Sequence, residues 1–181
     1  MLVLAAAVVL GGGLVAARYN RLVTLRNKVA DAWAGIDVQL TRRAELVPNL
    51  VRTVQAARLH ERDVLEAITA ARAALVEAEG PEASGRADDR LEGALRQLWA
   101  VAEAYPDLKV SENFLQLQTE LSRLEEDIGF ARSYYNGSVK QFNTTQQQFP
   151  TVLVARPLGF RPAEFFKAEA DARSAPRAEL A

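Results

Sequence analysis

The sequence predicts an all-α protein in which an N-terminal transmembrane helix leads into long helices packed through coiled-coil-like heptads. Three observations predict it. Residues 1–17 carry no charged or polar side chain. Between residues 18 and 149, Ala, Leu, Glu, Gln and Arg dominate and Gly or Pro interrupts rarely, a composition that favours helix. Two apolar files then recur at seven-residue spacing, far apart in the chain, and two such seams bury themselves by packing on one another.

The first element is the anchor, residues 1–17. Seventeen helical residues rise about 26 Å, slightly less than a hydrocarbon core of ~30 Å, and Arg18 and Tyr19 stand where snorkelling and interfacial anchoring are expected. A cleaved signal peptide is the rival reading, with Val15-Ala16-Ala17 as its cleavage site, but the basic leader of such peptides is missing. Arg18, Arg21, Arg26 and Lys28 follow the segment and none precedes it, so the positive-inside rule expects a single-pass protein of the cell membrane with its helical domain in the cytoplasm. Gly11, Gly12 and Gly13 offer no GxxxG spacing for helix pairing. The expected organisation is an anchor at 1–17, a helical domain at 18–172 and a disordered tail at 173–181.

The first rod begins without a hinge, since no Gly, Pro or Ser lies between Ala17 and Leu22. Leu22, Val29, Ile36, Leu50, Ala57, Val64 and Ala71 form one file; Trp33, Leu40, Val47, Val54, Ile68 and Leu75 form a second, four residues later. Arg43 and Glu61 fill the slots where apolar residues are expected. Pro48 falls inside the pattern, yet the register crosses it without a slip, which favours a kinked but continuous helix. Gly80-Pro81 closes the rod, and the polar stretch Glu82–Asp89 reads as a surface loop.

A shorter helix is expected from Asp88 to Tyr105, with Leu91, Leu95, Leu98, Trp99 and Ala102 on one face and Pro106 ending it. Ser111 is the expected N-cap of the next helix, with Val110 and Leu115 as a hydrophobic staple. That helix carries the second seam, Phe114, Leu121, Ile128, Tyr135, Phe142 and Phe149, interleaved by Leu117, Leu124 and Ala131. Asn136-Gly137 is turn-prone, but the phenylalanines beyond it keep register, so the helix is expected to run to Gln148 before Pro150. The tail holds Val152, Leu153, Leu158, Phe160, Phe165 and Phe166, too many apolar residues for a solvated segment, and should wrap back onto the helices. A short helix over Ala163–Ala172 is expected within it.

Composition excludes several chemistries. With no cysteine there are no disulfides, thiolate metal sites or thiol nucleophiles. His60 is the lone histidine, and the position where a Glu-x-x-His partner would stand is Ala57, so a di-iron bundle site cannot be built. Ser111, Ser122, Ser133 and Ser138 lie on helical patterns without a strained turn, and no glycine-rich phosphate loop occurs outside the anchor. No metal, no cofactor and no enzymatic activity is expected. The net charge is −1. Residues 18–58 carry eight basic against three acidic side chains and residues 59–110 six against eleven, so the membrane-proximal third is suited to anionic lipid headgroups. Nothing in the pattern argues for nucleic acid.

The polar residues that intrude on the first rod are the candidate site. Asp37, Arg43 and Asn49 are positioned to meet Glu125, Tyr135 or Asn136 in a buried network that sets register. The alternatives to that leading reading are a polar pocket at Pro48 lined by the same residues, and a partner-docking face made by Arg42-Arg43 with Asp37.

Asn20, Ala32-Trp33, Ile36-Asp37-Val38-Gln39-Leu40, Arg42-Arg43, Leu46-Val47-Pro48-Asn49-Leu50-Val51, Ala102-Glu103-Ala104-Tyr105-Pro106-Asp107-Leu108, Glu112-Asn113-Phe114-Leu115-Gln116-Leu117-Gln118, Phe130-Ala131-Arg132, Tyr135-Asn136, Phe149-Pro150 and Leu158-Gly159-Phe160 together resemble the LemA family of bacterial proteins. The resemblance extends from the anchor to about residue 166. It implies a single membrane helix followed by an antiparallel hairpin of long twisted helices, and it supplies no catalytic residues. It also hints at partners, since such proteins occur beside membrane metalloproteases and envelope-stress proteins. The resulting expectation is a membrane-anchored, non-enzymatic scaffold or adaptor that binds membrane lipid, other proteins or copies of itself. The alternative is a ligand-binding or enzymatic bundle with its pocket near Pro48.

Overall fold

The computed structural model describes residues 1–57 and 61–166, with side chains at all of these except 3–8. His60, most of the helix expected at Ala163–Ala172 and the tail 173–181 lie outside the described residues. The regular structure among the described residues is helical: α1 Leu2–Ala56, α2 Arg62–Glu77, α3 Gly80–Ala102, α4 Pro106–Lys109, α5 Glu112–Gln147 and α6 Val152–Ala155. The chain divides into two compact units, Met1–Ile36 with Phe130–Phe165, and Asp37–Gly129 with Phe166 onward.

In the first unit, α1 and α5 run antiparallel. The rings of Trp33 and Tyr135 meet edge to face at 5.8 Å, while five residues earlier on α1 Lys28 Nζ donates to Gln141 Oε1 at 3.2 Å. Leu22, Leu25, Val29, Ala32 and Ile36 are buried on α1, and Tyr135, Ser138, Val139, Phe142 and Gln146 on α5. The two seams thus do what their spacing demands. Gly137 lies inside α5 without ending it, because the seam on either side is buried.

The chain after α5 folds back within this unit, as its apolar content demands. Phe160 packs edge to face on Tyr19 at 5.8 Å and on Phe142 at 6.4 Å, with the Arg26 guanidinium 5.6 Å from its ring centre. Gly159, at φ 75°, makes the turn that delivers it. Asn143 then holds the strap by two reciprocal bonds, donating to the Ala163 carbonyl at 2.9 Å and accepting from the Ala163 amide at 2.8 Å. The Tyr135 hydroxyl donates to the Glu164 carbonyl at 2.8 Å. Phe149, expected in the seam, is 81% exposed, because α5 stops at Gln147 and Phe149 lies beyond the helix that carries the seam.

In the second unit, Leu40, Arg43, Ala44, Val47, Leu50 and Val54 of α1 are buried, with α2, α3, α4 and residues 112–129 of α5 in the same unit. Three expectations change here. The first rod is interrupted: α1 ends at Ala56 and α2 starts at Arg62, where the seam offers only Ala57 and Glu61 and so lacks the apolar surface that holds a helix to a partner. Glu61 instead accepts a hydrogen bond from the Tyr105 hydroxyl at 3.3 Å. The surface loop expected at Glu82–Asp89 is helical. Gly80, at φ 82°, turns the chain, Pro81 starts α3 with its fixed φ, and Ser84, Gly85 and Ala87 are buried by their small size. The staple does not form a buried contact, since Val110 is 76% and Leu115 45% exposed.

Among the described residues, no helix is long and apolar enough to cross a membrane. The anchor expected over residues 1–17 therefore gains no support from the fold. The described residues at the start of α1, from Val9 to Asn20, are all exposed.

Candidate functional site

The most buried charge in the second unit is Arg43, at 1% exposure, in a heptad slot suited to an apolar residue. Its Nη1 donates to Asp88 Oδ1 at 2.9 Å, and Asp88 is itself buried. Nη2 lies 4.0 Å from Glu125 Oε2, whose side chain is half-exposed. Arg43 Nε makes no hydrogen bond among the described residues. Burial pushes the Asp88 carboxyl from 3.8 up to about 6; the Arg43 charge opposes the shift, and Asp89 and Glu92 add to it. Desolvation outweighs the partner here because the pair is held away from water.

Five residues along α1, Pro48 has no amide hydrogen to give the Ala44 carbonyl. That carbonyl is taken by Arg72 of α2, whose Nε donates to it at 2.9 Å. The proline is thus accommodated inside α1 by a side chain from a second helix, which answers the free acceptor that an uninterrupted helix would have satisfied itself.

The other candidates from the sequence do not converge on this centre. Arg42 is exposed and pairs with Glu120 at 3.2 Å, a geometry of small energetic weight in water. Asn49 is exposed, and its Oδ1 accepts from Arg52 one turn along the same helix. Asp37 is exposed and lines a small cavity of about 300 Å³ with Arg72, Ala44 and Ser84. Arg42 lines a larger groove of about 890 Å³ with Gln39, Val110, Leu115, Arg123 and Asp127. Of the network partners weighed from the sequence, Glu125 is near Arg43, as expected.

Sequence reasoning missed Asp88 and Arg72. Asp88 was readable: Ser84, Asp88, Leu91, Leu95, Leu98 and Ala102 alternate by four and three residues, so the heptad of α3 begins seven residues before the apolar ones do. Nothing in the pattern around Arg72 marks it.

A second feature is the exposed apolar surface of the first unit. Val9, Leu10, Leu14 and Val15 on α1 are 72, 74, 47 and 45% exposed, and Phe149, Leu153 and Leu158 lie exposed in the turn that follows α5.

Chemically, the buried pair can hold register and a proton, and the exposed surfaces can bind. Among the described residues, no three His, Cys, Asp or Glu side chains are grouped to hold a metal ion. The fold and these features define a class: an all-helical protein with coiled-coil-like seams, a buried ion pair inside them and unpaired apolar surface. The chain belongs to the LemA family, whose model matches residues 32–179. It is similar to Protein LemA of Metamycoplasma hominis, 29% identical over 155 residues covering 83% of this chain and 69% of that protein. It is also similar to magnetosome protein MamQ 2 of Paramagnetospirillum magneticum, 26% identical over 176 residues, 83% of this chain and 65% of the relative. Magnetosome protein MamQ of Magnetospirillum gryphiswaldense is 24% identical over 175 residues, 82% and 64%. The chain therefore spans about two thirds of the length of these relatives.

Proposed function

We propose that the chain is a membrane-anchored helical scaffold or adaptor, with residues 1–17 as a single-pass anchor and the helical domain on the cytoplasmic side of the cell membrane. The supporting observation is the first part of α1. Its described residues from Val9 to Ala17 are apolar, exposed and continuous with a helix that buries one face from Leu22 onward, and Arg18, Arg21 and Arg26 stand at the junction. Exposed apolar surface of that kind is costly in water and favourable in lipid. The domain works by contact with other proteins, for which the groove lined by Arg42, Val110, Leu115 and Arg123 is the natural surface. Relatives named as magnetosome proteins fit a part played within an assembly.

Two measurements test this. After an alkaline carbonate wash of cell membranes, the full chain should remain in the pellet and a Leu10→Arg, Leu14→Arg variant should be released. Release of the unaltered chain would end the anchor reading. Crosslinking in membranes should then capture specific proteins that an Arg42→Glu, Leu115→Glu variant loses. If both forms capture the same set, the groove is not the docking face.

A further inference from the structure

The turn from Gln148 to Phe160 stands beside the foot of the proposed anchor. Phe160 touches Tyr19, ring to ring at 5.8 Å, and Tyr19 is two residues beyond Ala17, about 3 Å along the helix axis. The turn is compact: the Leu158 amide donates to the Val154 carbonyl at 3.3 Å and the Phe160 amide to the Ala155 carbonyl at 3.1 Å. Thr151, Val154 and Ala155 face inward and are buried. The opposite side presents Phe149, Leu153 and Leu158, at 81, 65 and 52% exposure, with nothing of the described chain over them.

Charge is one-sided at this end of the unit. Arg18, Arg21 and Arg26 on α1, and Arg156 and Arg161 on the turn, are all exposed, and residues 18–26 and 148–162 contain no acidic residue. The first acid after the turn, Glu164, has its carbonyl bonded to Tyr135, whose ring meets Trp33, about 21 Å along α1 from Tyr19. Apolar side chains ringed by arginines at the level where a helix leaves the bilayer match the chemistry of the interface: rings and Leu side chains enter the acyl boundary while guanidinium groups meet phosphates.

We infer that the turn carrying Phe149, Leu153 and Leu158 is a second membrane contact, lying in the headgroup region of an anionic bilayer with Arg156 and Arg161 on lipid phosphates. This rests on the anchor reading. It adds that the first unit sits against the lipid surface on two elements, the α1 helix and the turn, so that its tilt is set by lipid composition.

The chain has no cysteine, so a fluorophore at Leu153→Cys reports one site. The comparator is Phe130→Cys, 76% exposed in the same unit and seventeen residues, about 26 Å, before the end of α5. The full-length chain is reconstituted in vesicles of phosphatidylglycerol and phosphatidylcholine that contain a shallow nitroxide-labelled lipid. Quenching is expected at 153 and not at 130. The Arg156→Gln, Arg161→Gln variant, unchanged in circular dichroism, should lower the docked-to-undocked ratio about 25-fold, each arginine being worth about a factor of five at an anionic surface. Vesicles of phosphatidylcholine alone should weaken docking likewise.

A label at 153 that stays in water on vesicles with which the chain co-floats would overturn the inference and leave the anchor standing. Failure to co-float would remove both. A label shielded from an aqueous quencher but untouched by the lipid quencher would overturn it too, in favour of contact between copies.

Discussion

The two units draw on the same two long helices and hold themselves together by different means. In the first, the contacts that close the unit bury no ion pair: aromatic rings of Tyr19, Phe142 and Phe160, with the exposed Arg26 guanidinium beside the last, and side chains of Asn143 and Tyr135 bonded to main-chain groups of the strap. In the second, charge is buried, with Arg43 against Asp88 in the seam and Arg72 on a main-chain carbonyl. These rings and amides carry no group that titrates between about pH 4 and 7, and burial pushes the Tyr135 phenol up to about 12. A buried ion pair is tolerated only while both partners are present, and it fixes register because only one alignment pairs the charges. The chain's two tryptophans separate the units experimentally, since Trp33 lies against Tyr135 in the first and Trp99 against Phe114 in the second.

The largest effect should come from breaking the pair on one side. Arg43→Met leaves Asp88 buried and alone, and should lower stability by about 3–5 kcal/mol in urea denaturation followed by Trp99 in a Trp33→Phe background. Arg43→Met with Asp88→Leu should recover most of the loss. A double variant as unstable as the single one would mean that the pair contributes through geometry that apolar packing cannot replace.

Acidity sharpens the same contrast. The folded state holds the Asp88 proton more tightly than the unfolded chain does, because its carboxyl is raised from 3.8 to about 6. Its contribution to stability is thus fully present below about pH 3.8 and is lost as pH rises through about 6, and it amounts to at most about 3 kcal/mol. The slope should appear in the Trp99 signal and vanish in Asp88→Asn. An equal slope in Asp88→Asn would assign it to other carboxyls.

In the first unit the corresponding weak point is Asn143. Its two bonds to Ala163 are each worth about 1 kcal/mol, so Asn143→Ala should cost about 2 kcal/mol, read by Trp33 and independent of pH between about 4 and 7. The expected local signature is faster hydrogen exchange in residues 160–165. Protection unchanged there would show that the Phe160 ring and the Tyr135 hydroxyl hold the strap without Asn143.

How far these features can be read from the residues follows from the range over which they act. Heptad spacing is local, and it located the seams through Ile36, Leu50, Phe114 and Phe142 and flagged Arg43 as out of place, while the apolar content of the tail called for its folding back. What it could not weigh is a composition with two meanings. Gly80-Pro81 followed by Ser84, Gly85 and Asp88 has the make-up of a loop, yet the same residues start a helix when Gly takes a positive φ and small side chains are buried. Reading that stretch as a loop hid Asp88 and left Arg43 with partners sought only on the last long helix, among Glu125, Tyr135 and Asn136. The break after Ala56 was missed for the opposite reason: the seven-residue count continues through Ala57 and Glu61, but the count carries no measure of how little surface those residues bury.

The smallest effect concerns Pro48, and it tests whether Arg72 answers the proline. In α1 the Ala44 carbonyl accepts from Arg72 because residue 48 has no amide hydrogen. Arg72→Met should therefore cost about 1 kcal/mol, the net worth of an ordinary hydrogen bond, since the partly exposed guanidinium regains water when the bond is absent from the fold. In a Pro48→Ala background the new amide hydrogen at position 48 can take the carbonyl, so the same Arg72→Met change should cost close to nothing. The difference between the two costs is a coupling between residues on separate helices, and a double-mutant cycle measures it directly. Equal costs in both backgrounds would mean that Arg72 acts through its aliphatic stem against α1, with the proline tolerated by the buried seam of Val47, Leu50 and Val54 alone.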